Sequence, residues 1–399
     1  MNQIEELEAK YIINTYGRKP GETSALTRGE GSYVWDSNGK KYLDLLSGLA
    51  VNVVGHCHPA VVEAIREQTE ILMHTSNLYY SNPQGELARL LVESSLPGGK
   101  VFFANSGAEA NEAAIKLARK KAPERYKVIS AQNSFHGRTL ATLAATGQPK
   151  HRKGFEPLPE GFTSAVFNDL DSFKNLVDEQ TAAIMVEPVQ GEGGVYIASE
   201  KFIKGLRKLC DETGALLIFD EVQCGLGRTG RMWAFENYGI KPDLFTTAKG
   251  LGGGLPIGAM VAAEPYTEML QPGEHASTFG GNQVVCKAAQ AVFKILQEEN
   301  FMEQIRHKGS QVKTELEKWT ASYPGLVKEF RGSGLICALE FEKPVAKEVL
   351  ARCTAEGLLI NAIGEHVLRL LPPLTITERE LGEGLKIIEW VLKEVSSKY

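Results

Sequence analysis

The sequence predicts an α/β protein: a largely parallel sheet covered by helices on both faces, joined to a smaller α+β region. Three observations carry that expectation. Short, wholly apolar runs recur between helical segments from about Leu49 onward, as strands buried on both faces require. Several chemically useful polar residues sit just beyond the ends of those runs, where open parallel sheets bind their ligands. Near Asn282 the pattern changes to long amphipathic helices with only short strand candidates between them.

The elements follow in order. Residues 1–28 start helical and become irregular, and read as an arm. Ser32–Trp35 and Lys41–Leu45 flank the turn signal Asp36-Ser37-Asn38-Gly39-Lys40 and form a hairpin. Strands are expected at Val101–Phe103, Lys127–Ser130, Ala182–Val186, Ala215–Phe219, Leu244–Thr247 and Ile257–Val261. Ala110, Ala113, Ala114, Leu117 and Ala118 share one helical face, and their small size suits close packing on a sheet. Phe202, Leu206 and Leu209 mark another helix. Later helices are expected at Val284–Leu296, Met302–Trp319 and Glu378–Val395, with strands at Leu335–Leu339 and Val367–Leu370. This divides the chain into an arm (1–28), a first part of a small domain (29–50), a large domain (51–285) and the rest of the small domain (286–399), which is therefore discontinuous.

Bulk properties narrow the function. A chain of 399 residues can bury a large core without staples. Its 44 basic and 49 acidic side chains leave a net charge of -5, and no basic block provides a nucleic-acid footprint. No apolar run approaches the roughly 20 residues that span a bilayer, so no membrane partner is expected. The six cysteines include no CxxC pair, which speaks against a zinc ribbon and for reduced thiols. The opening Met1–Glu6 is acidic and lacks a secretion-signal pattern, so a cytoplasmic protein is expected.

Four polar groups stand at strand ends. Asp220 closes one apolar run, and a carboxylate there can hold a pyridine nitrogen protonated; a helix cap or salt bridge is the plainer reading. Lys249 closes another and precedes Gly250, Gly252, Gly253 and Gly254; its amine can condense with a carbonyl if its site lowers its pKa, or it can simply face solvent. Together they suit pyridoxal phosphate. Ser106-Gly107-Ala108 opens a helix whose free N–H groups can bind a phosphate, or Ser106 can be an ordinary cap. In Phe135-His136-Gly137-Arg138, the ring of Phe135 can stack on a planar cofactor and Arg138 can grip a carboxylate; His136 reads as structural.

Two rival motifs fail on context. Gly225-Leu226-Gly227-Arg228-Thr229-Gly230 matches a dinucleotide fingerprint, yet it neither follows a strand directly nor opens a helix. Gly55-His56-Cys57-His58-Pro59 lacks a distant cluster with metal spacing and reads as a turn into a helix, so no metal is expected.

The ordered stretches Asn105–Glu112, Ser134–Arg138, Glu187–Glu192, Phe219–Gln223, Thr247–Gly250, Thr278–Asn282 and Arg369–Pro373 resemble the class III (ω-amino) pyridoxal-phosphate aminotransferases. The likeness runs from about Gly31 to Lys393. It implies fold type I of the pyridoxal-phosphate enzymes, with a mostly parallel seven-stranded sheet in the large domain. It also implies roles. Lys249 would bond to the cofactor and move protons, Asp220 would pair with the ring nitrogen, and Gln223 would contact the ring 3′-oxygen. Phe135 would stack on the ring, and Ser106, Gly107 and Ala108 would hold the phosphate together with Thr278 of the partner subunit in a homodimer with shared sites. Arg369 would bind the α-carboxylate of glutamate, Glu192 would neutralise Arg369 when the other donor is bound, and Arg138, aided by Tyr16, would hold the far carboxylate. The implied reaction moves the δ-amino group of N2-acetyl-L-ornithine to 2-oxoglutarate. Ornithine, 4-aminobutyrate, succinyl-diaminopimelate and acetyl-lysine remain alternative donors. A non-transaminating pyridoxal-phosphate enzyme and a non-catalytic α/β protein are the alternatives of other classes.

Overall fold

The computed structural model describes residues 3–398. The strands run β1 Leu26–Glu30, β2 Tyr33–Asp36, β3 Lys41–Asp44, β4 Lys100–Ala104, β5 Lys127–Ala131, β6 Phe162–Ala165, β7 Thr181–Val186, β8 Val189–Gln190 and β9 Tyr196–Ile197. They continue as β10 Leu216–Asp220, β11 Leu244–Thr247, β12 Gly258–Ala262, β13 Val327–Ser333, β14 Ile336–Phe341, β15 Leu358–Leu359, β16 Asn361–Ile363 and β17 Val367–Leu370.

The central sheet has seven strands in the order β4-β12-β11-β10-β7-β5-β6. The pairs β11·β10, β10·β7, β7·β5 and β5·β6 are parallel, whereas β12 runs antiparallel to both β11 and β4. Every residue of β7, β10, β11 and β12 is buried, which is why these strands read as mainly apolar runs with polar residues only at their ends. Helix Gly107–Lys121 lies on one face and buries the expected alanine stripe. Helix Glu200–Thr213 starts at Ser199, whose hydroxyl accepts from Phe202 N, and stops at Gly214 in the left-handed region (φ 72°). It buries Phe202, Ile203, Leu206, Leu209 and Cys210; each large side chain contributes about 2 kcal/mol.

Two smaller sheets flank this layer. The hairpin β2–β3 is extended by β1 on one side and on the other by β15, which pairs in parallel with β3 across more than 300 residues of chain. The antiparallel sheet β13-β14-β17-β16 is backed by helices Phe301–Ser322 and Ala346–Ala355.

Several elements differ from expectation, and three of them have a clear physical reason. β6 was not anticipated because Phe162-Thr163-Ser164-Ala165 is a half-exposed edge strand with one large apolar residue. β13 was missed because Val327–Ser333 carries Lys328, Glu329 and Arg331 on a strand that is largely only half-buried. β1 begins at Leu26, so the last residues assigned to the arm are already paired with β2. The Gly225–Gly230 segment is a run of turns, and no helix opens within it.

Candidate active site

A cavity of about 460 Å³ opens at the carboxyl ends of β5, β7, β10 and β11. It is lined by Ser106, Gly107, Ala108, Phe135, Arg138, Glu192, Asp220, Gln223 and Lys249, so nine of the residues singled out from sequence meet in one place.

Asp220 ends β10 and is 3% exposed. Its Oδ2 accepts from Asn111 Nδ2 and from His136 Nδ1, each at 2.8 Å, and its Oδ1 accepts from Val222 N at 3.0 Å. His136 is thus a positioning group, fully buried against the carboxylate. Asn111 lies within the Asn105–Glu112 stretch, and sequence alone assigns it no role. It also donates to His136 O (2.7 Å) and accepts from Thr246 Oγ1 (2.6 Å), tying helix Gly107–Lys121 to β11 and to the loop after β5. An amide on a stripe of buried alanines was the available signal.

Lys249 follows β11 and opens a short 3-10 turn with φ at 36°, a left-handed backbone that is strained for a lysine. Burial lowers its ammonium pKa, partly opposed by Glu192. Across the cavity, Ser106 caps helix Gly107–Lys121 by accepting from Glu109 N (3.2 Å), so it is a helix cap as well as a cavity wall. A Cβ on Gly107 would lie 2.8 Å and 2.9 Å from the methyls of Val222, so that backbone reaches the cavity only as glycine.

Arg369 lies in β17, 1% exposed. One guanidinium nitrogen donates to Gly191 O (2.8 Å), Glu192 Oε1 (2.9 Å) and Gln223 Oε1 (3.1 Å), and the other to Asn361 Oδ1 (2.9 Å). Gln223 Nε2 also donates to Glu192 Oε1 at 3.1 Å. In this state the Gln223 amide bridges the ion pair. For the Glu192 carboxyl, burial alone would raise the pKa, but Arg369 and Lys249 more than offset it and hold it at about 2. Glu187, unassigned from sequence, lines the same cavity and accepts from Phe135 N (3.2 Å); burial and the neighbouring Asp220 push its carboxyl well above the usual range.

Two expected residues are not brought to this cavity by their own chain. Thr278 is exposed on a turn held by Asn77 Nδ2, which donates to Ser277 O and Gly280 O. Tyr16 is 82% exposed. The arm folds back on itself through the Arg18–Glu8 pair, and Tyr16 sits beside the Arg18 guanidinium, 5.8 Å from ring centre, and does not line the cavity. Among the described residues no cluster of His, Cys, Asp or Glu could hold a metal, and no helix is long and apolar enough to cross a membrane.

The class-III aminotransferase family model matches residues 16–392. The chain belongs to that family. Class-III aminotransferases depend on pyridoxal phosphate. A relative from Caldanaerobacter subterraneus subsp. tengcongensis, named acetylornithine aminotransferase, is 50% identical over 97% of this chain and 98% of its own. Among solved structures, the ornithine aminotransferase of Toxoplasma gondii ME49 superposes with a TM-score of 0.94 at 32% identity, covering 99% of this chain and 96% of its own. The taurine:2-oxoglutarate aminotransferase of Bifidobacterium kashiwanohense, solved with pyridoxal phosphate and glutamate, gives 0.93 at 28% identity, covering 99% and 98%. The cavity of this class-III aminotransferase fits that cofactor: a buried carboxylate supplied with three N–H donors, a desolvated amine, and a glycine-opened helix N-terminus line one space.

Proposed function

We propose that this chain transfers the δ-amino group of N2-acetyl-L-ornithine to 2-oxoglutarate, giving N-acetyl-L-glutamate 5-semialdehyde and glutamate, as a cytoplasmic homodimer with shared sites. The observation that carries the reading is the Arg369–Glu192 pair beside Lys249: a buried guanidinium with a carboxylate that can be displaced. The 50% identity to a relative named for acetylornithine, against 32% to the ornithine enzyme, supports the acylated donor.

Pyridoxal phosphate, when bound, supplies a carbonyl for the donor amine and a protonated ring that withdraws electrons from the reacting carbon. Asp220 would keep the ring nitrogen protonated, held as an acceptor by Asn111 and His136. Gly107 and Ala108 N–H groups would take the phosphate, joined by Thr278 of the partner subunit. Phe135 would stack on the ring and Gln223 would reach its 3′-oxygen. Lys249, its ammonium destabilised by burial, would take the proton from the amine-bearing carbon and return it elsewhere.

The arginines sort the substrates. Glutamate presents an α-carboxylate that would displace Glu192 and pair with Arg369. The acylated diamine reacts at its far amine and has no carboxylate there, so Glu192 would stay and keep Arg369 from being buried unpaired. Arg138, exposed at the cavity wall, would hold the distal carboxylate in both cases. The test is a donor profile with 2-oxoglutarate. N2-acetylornithine should give the highest kcat/KM for glutamate formation among itself, ornithine, 4-aminobutyrate, succinyl-diaminopimelate and acetyl-lysine. A higher value for another donor overturns the substrate assignment. No glutamate from any of them overturns transamination.

A further inference from the structure

The turn that carries Glu192 joins β8 to β9 and is short: Gly191-Glu192-Gly193-Gly194-Val195. Three glycines give it little stiffness of its own. Gly194 (φ 117°) and Val195 (φ 59°) both occupy backbone regions that side chains disfavour. Val195 N donates to Gln190 O (2.9 Å) and closes the turn, and side chains from outside hold the carbonyls of Gly191 and Gly194.

Arg369 grips its first half, at Gly191 O and Glu192. The second half is gripped by another arginine. Arg331 Nε and one of its terminal nitrogens donate to the single carbonyl of Gly194, at 3.0 Å and 2.9 Å. Its guanidinium also lies over the Tyr196 ring, 4.1 Å from the centroid. The remaining nitrogen pairs with Glu329 and Glu340, and Glu340 is further tied to Lys328 at 2.6 Å and reached by Tyr196 Oη at 3.4 Å.

The two arginines are in register. Arg331 on β13 lies opposite Ala338 on β14, which lies opposite Arg369 on β17, which lies opposite Asn361 on β16. Directly opposed residues of antiparallel strands project to the same face. One cross-strand row of the C-terminal sheet therefore seats the Glu192 turn, with one guanidinium against each half of the turn.

We propose that Arg331 is a positioning residue for donor selection: it fixes the Gly191–Val195 turn so that Glu192 remains within reach of Arg369 whenever glutamate is absent. This rests on the displaceable-carboxylate reading above. Without Arg331 the turn loses its second anchor and Glu192 leaves Arg369 more often. The bare guanidinium then favours a donor with an α-carboxylate and opposes one without.

The experiment measures kcat/KM for N2-acetylornithine and for glutamate in the holoenzyme, for Arg331→Lys, Arg331→Met, Glu192→Ala and the Arg331→Lys/Glu192→Ala double variant. Lysine keeps the charge for Glu329 and Glu340 but cannot bridge Gly194 O and stack on Tyr196 together. Arg331→Lys is expected to lower the acetylornithine-to-glutamate ratio about tenfold, the size of one lost charge-assisted contact, with cofactor affinity unchanged. In the Glu192→Ala background the same substitution should leave the ratio where it is. Rescue of the ratio by lysine with loss only in Arg331→Met would show a merely structural ion pair and overturn the proposal. So would a shift that is the same size with and without Glu192. If Glu192→Ala itself leaves the ratio unchanged, the displaceable-carboxylate reading fails first, and the role given to Arg331 falls with it.

Discussion

Asp220 and Lys249 were legible from sequence because each ends an apolar run with a chemically distinctive side chain. What the sequence could not display is how each is tuned, since Asn111, His136 and Glu187 arrive from separate elements. Reduction of the purified enzyme with borohydride should fix the cofactor to Lys249, and peptide mapping of the label to any other lysine would refute its role. The two buried glutamates should leave opposite marks on stability. Glu192 is held near 2, below its unfolded value of about 4.5, so its contribution is complete above pH 4.5 and is lost as pH falls toward 2. Glu187 is raised by burial and by Asp220, so its favourable neutral state is complete below about 4.5 and is lost as pH rises toward its folded value. Thermal melts between about pH 5 and about pH 8 should therefore show Glu187→Gln gaining on the parent enzyme as pH rises. Parallel curves would contradict a neutral Glu187.

Among the elements, the buried parallel strands declared themselves by composition, and the exposed ones did not. β7 and β10 are apolar except for Thr181 and Asp220 at their ends because both faces are covered, whereas β6 and β13 present mixed residues to partial solvent and resemble loops in one dimension. The same limit applies to the cross-strand row of Arg331, Ala338, Arg369 and Asn361: sequence separation hides register. Helix Gly107–Lys121 gives Gly107, Ala108 and Asn111 to the cavity wall. Gly107→Ala would drive a methyl into Val222 and should weaken phosphate binding, raising the cofactor dissociation constant about tenfold or more in an absorbance titration. Asn111→Ala removes one donor to Asp220 and the acceptor of Thr246, and should cost about 2–3 kcal/mol in urea unfolding. A loss below about 0.5 kcal/mol would mean the amide is replaced by water at no cost.

The molecule as a whole leaves a belt of large apolar side chains uncovered. Leu72, Met73, Leu78, Tyr79, Tyr80 and Phe279 are all exposed, with Tyr80 at 108% of its reference area. Phe279 is next to Thr278, so the covering of this belt and the completion of the phosphate site would be one event. Light scattering should give twice the chain mass. Tyr79→Glu combined with Tyr80→Glu should yield a monomer with weakened cofactor retention. A fully active monomer would remove Thr278 from the site. The helix that begins at Gly107 has a last consequence. In the proposed reading its first N–H groups would take the phosphate, while its Asn111, one turn or about 6 Å further along, donates to Asp220, the proposed partner of the ring nitrogen. The two seats would thus be graduations on a single rigid rod packed on one face of the sheet, and the rod would act as a gauge of ligand length. A B6 analogue whose arm between ring and phosphate is one atom too long should surrender one seat to keep the other, however well its ring matches.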